Sequence, residues 1–271
     1  MTILLTGATG FVGRQVHTAL VARHVPVRVV IRAGTDARLV APVESVVSTP
    51  DLFAERAEWW RTACTGIHTV VHVAWIAEPG NYLHSQENQS CLHGTLELAH
   101  SAVDAGARRF VGIGSCFEYD VGKGYLSTRT PLAPRTPYAS AKADAFRALT
   151  DFLLRSEVSF AWCRLFYLYG EGENERRLVP YLRRQLSAGH PAEMTHGDQV
   201  RDYLDVQEAG AMIADVSLGG LTGPINICSG VAVTVRALAE RIADEYGRRD
   251  LLHFGARPDN AFDPPFIVGV R

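Results

Sequence analysis

The sequence is poor in the features that mark several protein classes. Its five cysteines (Cys64, Cys91, Cys116, Cys163 and Cys228) lie far apart in 271 residues and form no CxxC pair. That scatter argues against a disulfide framework or a cysteine-bound zinc, and fits reduced thiols in the cytoplasm. Charge of one sign is also lacking, since 27 basic and 29 acidic side chains leave a net charge of −2. A chain so balanced carries no basic field for nucleic acid or for an acidic membrane surface. No run approaches the ~20 apolar residues that a spanning helix needs. A glycine-rich turn interrupts the N-terminal apolar run by Gly7, so no signal peptide is expected. The ten histidines show no HxxxH spacing, and no metal site is expected. Internal repeats and low-complexity tracts are missing too.

What is present is an ordinary globular composition, 47% hydrophobic and 21% charged. The length corresponds to nearly two domains at ~150 residues each, or to one large α/β domain with a lobe. Short apolar runs at 3–5, 27–31, 69–74, 110–113 and 160–166 read as strands. Helical patterns at 11–23, 90–105 and 138–155 separate them. Continuous apolar strands between amphipathic helices predict a parallel sheet covered on both faces. Right-handed crossovers then make it a doubly wound α/β fold of Rossmann type. After residue 167 the pattern loosens, with a late strand near 225–228 and a late helix at 235–246. The expected division is 1–166 for a cofactor-binding domain and 167–271 for a smaller, mainly substrate-binding lobe. Whether the strand near 225–228 returns to the main sheet stays open.

Glycines 7, 10 and 13 stand in Thr-Gly-Ala-Thr-Gly-Phe-Val-Gly, after a strand and at the start of a helix. A first glycine permits the tight turn, a second admits a pyrophosphate, and a third allows close helix–strand packing. The helix N-terminus offers free N–H groups to the phosphates. Gly7, Thr9, Gly10, Phe11, Val12 and Gly13 are therefore candidate dinucleotide-binding residues. An acid at the end of the second strand would favour NAD; this chain has Arg32 there. A guanidinium suits a 2′-phosphate, so NADP(H) is expected, with NAD(H) the other option. Arg14 either adds a second positive group or is a solvated helix residue.

Tyr138 and Lys142 form a YxxxK pair whose spacing puts both on one helical face. A nearby ammonium favours the phenolate and lowers a tyrosine pKa from its usual ~10. Ser115, at the end of the strand near 110–114, is the candidate for orienting the reacting oxygen. Alone, YxxxK is a common string. The order glycine turn, strand-end serine, YxxxK is specific.

Those motifs, with VVHVA (70–74), GSCFEYD (114–120), PYASAK (137–142), RLFYLYG (164–170) and RDYLDV (201–206), run nearly the length of the chain. In them the sequence resembles the extended short-chain dehydrogenases/reductases of the nucleotide-sugar epimerase/dehydratase group. The resemblance implies catalysis by Ser115, Tyr138 and Lys142, with Tyr138 and Lys142 also holding the cofactor. It implies cofactor contacts from Asp51 and Leu52 at the adenine and from Ala74. It implies that Arg201 and Arg257 grip a sugar nucleotide's diphosphate, and that Cys116, Phe117 and Tyr167 line the sugar pocket. Dimerisation through helices near 90–105 and 139–155 is implied as well. The chain is short for this group, so C-terminal helices of the usual pattern are expected to be missing or trimmed.

The departures narrow the implied reaction. Dehydratases of the group follow the Ser/Thr with Asp-Glu, where this chain has Cys116-Phe117. Glu118 comes one place late, which on a strand would turn it to the opposite face. Without that acid and base, 4,6-dehydration is not expected. Cys116 reads better as a small buried residue than as an acid. Cys91 and Tyr167 stand where the group usually has asparagine. The leading expectation is an NADPH-dependent reductase of a nucleotide-linked 4-keto-deoxysugar. Two alternatives are a 4-epimerase that retains NAD, and a non-catalytic NADP-binding sensor or scaffold.

Overall fold

Strands with continuous apolar runs need cover on both faces, and five strands built on such runs organise this chain. The computed structural model describes residues 1–259 and 263–271. In chain order the elements are β1 (Ile3–Thr6), α1 (Phe11–Ala22), β2 (Val27–Arg32), β3 (Ser45–Thr49), α2 (Ala57–Ala63), β4 (Thr69–His72), α3 (Glu87–Asp104), β5 (Arg109–Ser115), β6 (Tyr125–Leu126), α4 (Pro137–Arg155), β7 (Ser159–Leu165), β8 (Tyr167–Tyr169), α5 (Leu178–Ser187), β9 (Ala192–Met194), β10 (Val200–Asp205), α6 (Val206–Leu218), β11 (Gly223–Ile227), β12 (Ala232–Thr234), α7 (Val235–Tyr246), β13 (Leu252–Phe254) and β14 (Phe266–Gly269).

Seven strands form one sheet in the order β11-β7-β5-β4-β1-β2-β3, and all its pairings are parallel. Alternate side chains sort the core into two layers. Leu5, Val29, Val71 and Val111 face α1 and α6, where Val16, Leu20 and Ile213 cover them. Leu4, Val30, Val70 and Phe110 face α2, α3 and α4, under Trp60, Leu98 and Leu149. Strand order reverses between β1 and β4, and a ligand crevice opens beyond the strand ends at such a point. Two elements beyond residue 166 belong to this layer structure. Helix α6 packs on α1, and β11 pairs with β7, Ile225 opposite Cys163. The remainder builds a smaller sheet around β10, which pairs with β12, β14 and β8. A satellite core of Leu182, Leu186, Leu238 and Ile242 joins α5 to α7.

The strand-end region is fixed by a buried carboxylate. Glu118 does not continue a strand, as its spacing suggested; it closes a 3-10 turn at Cys116–Glu118. Its Oε1 accepts the Ser115 N–H at 2.7 Å, and Trp162 Nε1 donates to it at 3.1 Å. Arg164 Nε donates to Oε2 at 2.7 Å. Both charged side chains are essentially unexposed. The guanidinium continues to Tyr119 at 3.0 Å, and the Tyr119 hydroxyl donates to Asn226 of β11 at 2.8 Å. Gly114 makes room, since a Cβ there would lie 2.2 Å from Trp162 Nε1 and 2.4 Å from Glu118 Oε1. Removing one partner of a buried pair strands the other charge. Glu118→Gln is expected to lower unfolding free energy by about 3–5 kcal/mol, read from denaturant midpoints. A loss under about 1 kcal/mol would show that the pair is dispensable.

Candidate active site

The glycine turn builds one half of the site. Gly7 adopts φ +75°, and a Cβ on it would sit 2.8 Å from Ala74 N. A Cβ on Gly13 would fall 2.0 Å from Gly7 O, so α1 can lie this close to the turn only with glycine there. Helix α1 opens after Gly10 with no side-chain cap. Its first N–H groups are left for an anion. The residues present therefore fit a dinucleotide. The turn is held from below by a buried chain of hydrogen bonds. Thr95 donates its hydroxyl hydrogen to Cys91 O at 2.7 Å, so it accepts from His72 Nε2 at 2.9 Å. His72 Nδ1 is then the acceptor for the Thr6 hydroxyl at 2.8 Å, and Thr6 Oγ1 accepts from Ala74 N at 3.2 Å. Each link needs a neutral imidazole with its proton on Nε2.

A cleft of about 670 Å³ runs from this turn across the strand ends. At the end beyond β2 it is lined by Arg32 and by Arg38, an arginine the strand-end rule did not pick out. Leu52 also reaches it. Asp51 is exposed, and its carboxylate accepts from Phe53 N at 2.9 Å, shaping the turn that presents Leu52. Arg14 lies against the loop after β8: a Cβ on Gly172 would stand 2.8 Å from its Nη1. Its buried Nε has no partner among the described residues.

Ser115, Tyr138 and Lys142 all line the same cleft, beside Gly7, Thr9, Gly10, Phe11, Val12, Gly13 and Ala74. Thr136 caps α4 by accepting from Ala139 N at 3.2 Å, with Pro137 as the first helical residue. Tyr138 thus sits in the first turn and Lys142 one turn later. The Ser115 Oγ accepts from Phe117 N at 3.2 Å, which leaves its hydrogen free to donate. Burial raises the Tyr138 phenol well above its usual range, with Tyr82 adding to the rise and Ser115 opposing it. Lys142 is not among the groups that act on the phenol, so burial prevails; the ammonium donates to Ile113 O at 2.6 Å. Burial pulls Lys142 down to about 7, against the opposing pull of Glu118 and Cys91.

At the end beyond β5 and β7, Cys116, Phe117 and Tyr167 line the cleft. Burial pushes the Cys116 thiol up to about 12, so it carries no thiolate at neutral pH. The Tyr167 hydroxyl is buried without a partner among the described residues. Arg201 and Arg257 do not line the cleft, although the Arg201 guanidinium lies behind it, 5.1 Å from the centre of the Tyr167 ring. Arg201 is 2% exposed and pairs with Asp263 at 2.7 Å. Arg257 donates to the Tyr181 hydroxyl at 3.2 Å. The cation that does line this end is Arg177, beside Glu173, Tyr82 and Trp75. Arg177 lies 3.7 Å from Glu173, whose carboxyl burial pushes up to about 6 while Arg177 pulls it down. The run Arg176-Arg177-Leu178-Val179-Pro180 at a helix start was the available sequence signal for it.

Among the described residues no cluster of three His, Cys, Asp or Glu could hold a metal. No helix of the described residues is long and apolar enough to cross a membrane. Burial, and secondarily Lys142, push His72 down from 6.5 to about 3. The unfolded chain therefore takes up a proton there near pH 6.5 and the folded chain does not until about pH 3. Stability from this group is complete above pH 6.5 and falls as the pH drops towards 3. Between neutrality and about pH 4.5 the parent should lose about 2–3 kcal/mol more than His72→Asn in denaturant titrations. Equal acid sensitivity of the two proteins would contradict a neutral His72.

The cleft can be set beside known proteins. A model of the "NAD dependent epimerase/dehydratase family" matches residues 3–217. The dTDP-6-deoxy-L-talose 4-dehydrogenase (NAD(+)) of Aggregatibacter actinomycetemcomitans is 22% identical over 274 aligned residues, 100% of both chains. The GDP-6-deoxy-D-mannose reductase of Pseudomonas aeruginosa is 28% identical over 261, covering 89% of this chain and 79% of its own. MoeE5, solved with UDP-glucuronic acid and NAD, superposes with a TM-score of 0.82 at 26% identity, over 100% of this chain and 90% of its own.

Proposed function

Because the chain belongs to the NAD dependent epimerase/dehydratase family, we propose that it reduces a nucleotide-linked 4-keto-deoxysugar with NADP(H). The observation that carries this reading is one cleft holding the glycine cradle, Ser115, Tyr138 and Lys142 together. Two relatives support the substrate class, being named as a sugar-nucleotide 4-dehydrogenase and a sugar-nucleotide reductase. Arg32 and Arg38 at the adenosine end support NADP(H) through a 2′-phosphate. The NAD of the talose dehydrogenase and of MoeE5 supports NAD(H) as the competing reading.

The nicotinamide, when bound, supplies the hydride. Tyr138, kept protonated by burial, donates its proton to the sugar oxygen as negative charge develops there. Ser115 donates a second hydrogen bond to that oxygen from a hydroxyl whose lone pair is already engaged by Phe117 N. Two fixed donors on one developing alkoxide stabilise the transition state more than the ketone. Lys142 holds the cofactor's ribose. Arg177 is the cation placed to meet the substrate's diphosphate, in the role the sequence pattern gave to Arg201 and Arg257. Dehydration is not supported, because Cys116 and Phe117 are not acids and Glu118 is locked to Arg164. The same reading includes the division of labour between 1–166 and 167–271, a cytoplasmic location, and a homodimer through α3 and α4, where Leu154 is 77% exposed.

NADPH oxidation against a panel of nucleotide-linked 4-keto-6-deoxysugars tests the reaction. Tyr138→Phe should lower turnover by at least ~100-fold, and an unchanged rate would remove Tyr138 as proton donor. For the cofactor, Arg32→Ala and Arg38→Ala should each weaken NADPH binding ~10-fold or more while leaving NADH unaffected. Tighter binding of NADH than NADPH by the parent protein would overturn the cofactor assignment.

A further inference from the structure

Trp75 stands three residues beyond the end of β4 and lies in none of the apolar core clusters formed by the described residues. It lines the cleft instead. The Lys142 ammonium stands 3.7 Å from the centre of its ring. The ring meets Tyr138 edge-on, with centroids 6.3 Å apart and planes at 85°. Its orientation is set by a buried amide. Trp75 Nε1 donates to Asn88 Oδ1 at 2.9 Å, and Asn88 Nδ2 donates to Tyr82 O at 2.6 Å and Ser85 O at 2.9 Å. Asn88 is 1% exposed, so tipping the indole would strand a buried acceptor. The same amide holds the segment bearing Tyr82, whose ring braces Tyr138 at 4.8 Å.

We propose that Trp75 is a positioning residue for the cofactor site, its face holding the Lys142 ammonium and its edge bracing Tyr138. The assignment rests on the reading of Lys142 as the ribose-binding group. An indole face attracts an ammonium most when the pair is withdrawn from water. The groups that face Lys142 are few. Ile113 O from β5 takes its hydrogen bond at 2.6 Å. Glu118 of the 3-10 turn and Cys91 of α3 favour its charged form, while burial opposes it. His72 of β4 is neutral. Tyr138, on its own helix, is held in the protonated state. The Trp162 ring of β7 lies farther off, its centre 5.8 Å from the ammonium. Because burial brings Lys142 down to about 7, the contribution of the nearer ring bears directly on how much ammonium survives at neutral pH.

The test is dinucleotide affinity measured by titration between about pH 5.5 and pH 9.5, on the full chain and on Trp75→Leu and Trp75→Phe, with a thermal melt of each. The parent should bind more weakly as pH rises through about 7, since the ammonium is lost above that point. Trp75→Leu removes the ring face, and the midpoint should move down by about half to one pH unit. Trp75→Phe keeps a weaker face without the bond to Asn88, so its midpoint should move less and in the same direction. If the leucine variant does not fold, the downward shift in the phenylalanine variant alone decides. A merely structural role would weaken binding equally at every pH and leave the midpoint in place. Unmoved midpoints in a protein that binds dinucleotide, or a larger shift for Phe than for Leu, would overturn the assignment of Trp75. A parent protein that binds neither NADPH nor NADH would instead overturn the functional reading, and this inference with it.

Discussion

The catalytic end of the molecule depends on a carboxylate that takes no part in the chemistry. Glu118 is buried beside Arg164, and a buried charge is tolerated only when its partner and its remaining lone pairs are satisfied. Here Ser115 N–H, Trp162 Nε1 and Arg164 Nε satisfy them. The result is mechanical. The bond to Ser115 fixes the peptide that carries the serine hydroxyl. The bonds to Trp162 and Arg164 lock the end of β5 to β7. Through Tyr119 and Asn226 the same network reaches β11, and Asn226 goes on to Leu126 O and Val270 O in the smaller sheet. The smaller sheet is thus hydrogen-bonded, through this network, to the peptide of Ser115.

A net charge of −2 conceals how the cations are distributed. Arg164 and Arg201 are spent inside the protein on Glu118 and Asp263. Arg32 and Arg38 stand exposed at one end of the cleft, and Arg177 lies at the other, half-buried and partly engaged by Glu173. Paired arginines bring little field to a ligand, whereas exposed ones at a cleft mouth act on it through a lower-dielectric wall. The electrostatics of the site therefore follow from which arginines the fold has already satisfied.

That distinction marks the limit of what the sequence discloses. Strands β1, β2, β4, β5 and β7 were legible because both their faces are buried, which leaves unbroken apolar runs. Strand β3 was not, since Ser45–Thr49 is an edge strand with alternating exposure and no continuous run. The three-residue strands of the smaller sheet are too short to show a period. Ser115, Tyr138 and Lys142 were picked out as residue types in a set order, and the fold brings all three to one cleft. Arg201 and Arg257 looked equally clear, but pairing with Asp263 and Tyr181 depends on contacts across some 60–75 residues of chain. Arg38, Arg177, Trp75 and Tyr82 sit on loops or helix starts, and only the tertiary path of those segments turns them to the cleft.

The protonation states of the site follow from one cause. Burial disfavours charge whatever its sign, so it raises an acid and lowers a base. It therefore drives Tyr138 towards the phenol and Lys142 towards the amine at once. A site that neutralised both would bind ribose poorly and could not serve as a base at neutral pH. The phenol is the form a reductase needs, because it must give a proton to a developing alkoxide. The amine is the form it does not need, and the contacts around Lys142 oppose it: Glu118 and Cys91 favour the ammonium, and the Trp75 face lies 3.7 Å from it. Relief of the lysine alone leaves a proton donor in the same cleft as a group that is still partly cationic at neutral pH. That asymmetry suits the reductive direction better than the oxidative one, which would begin from the phenolate.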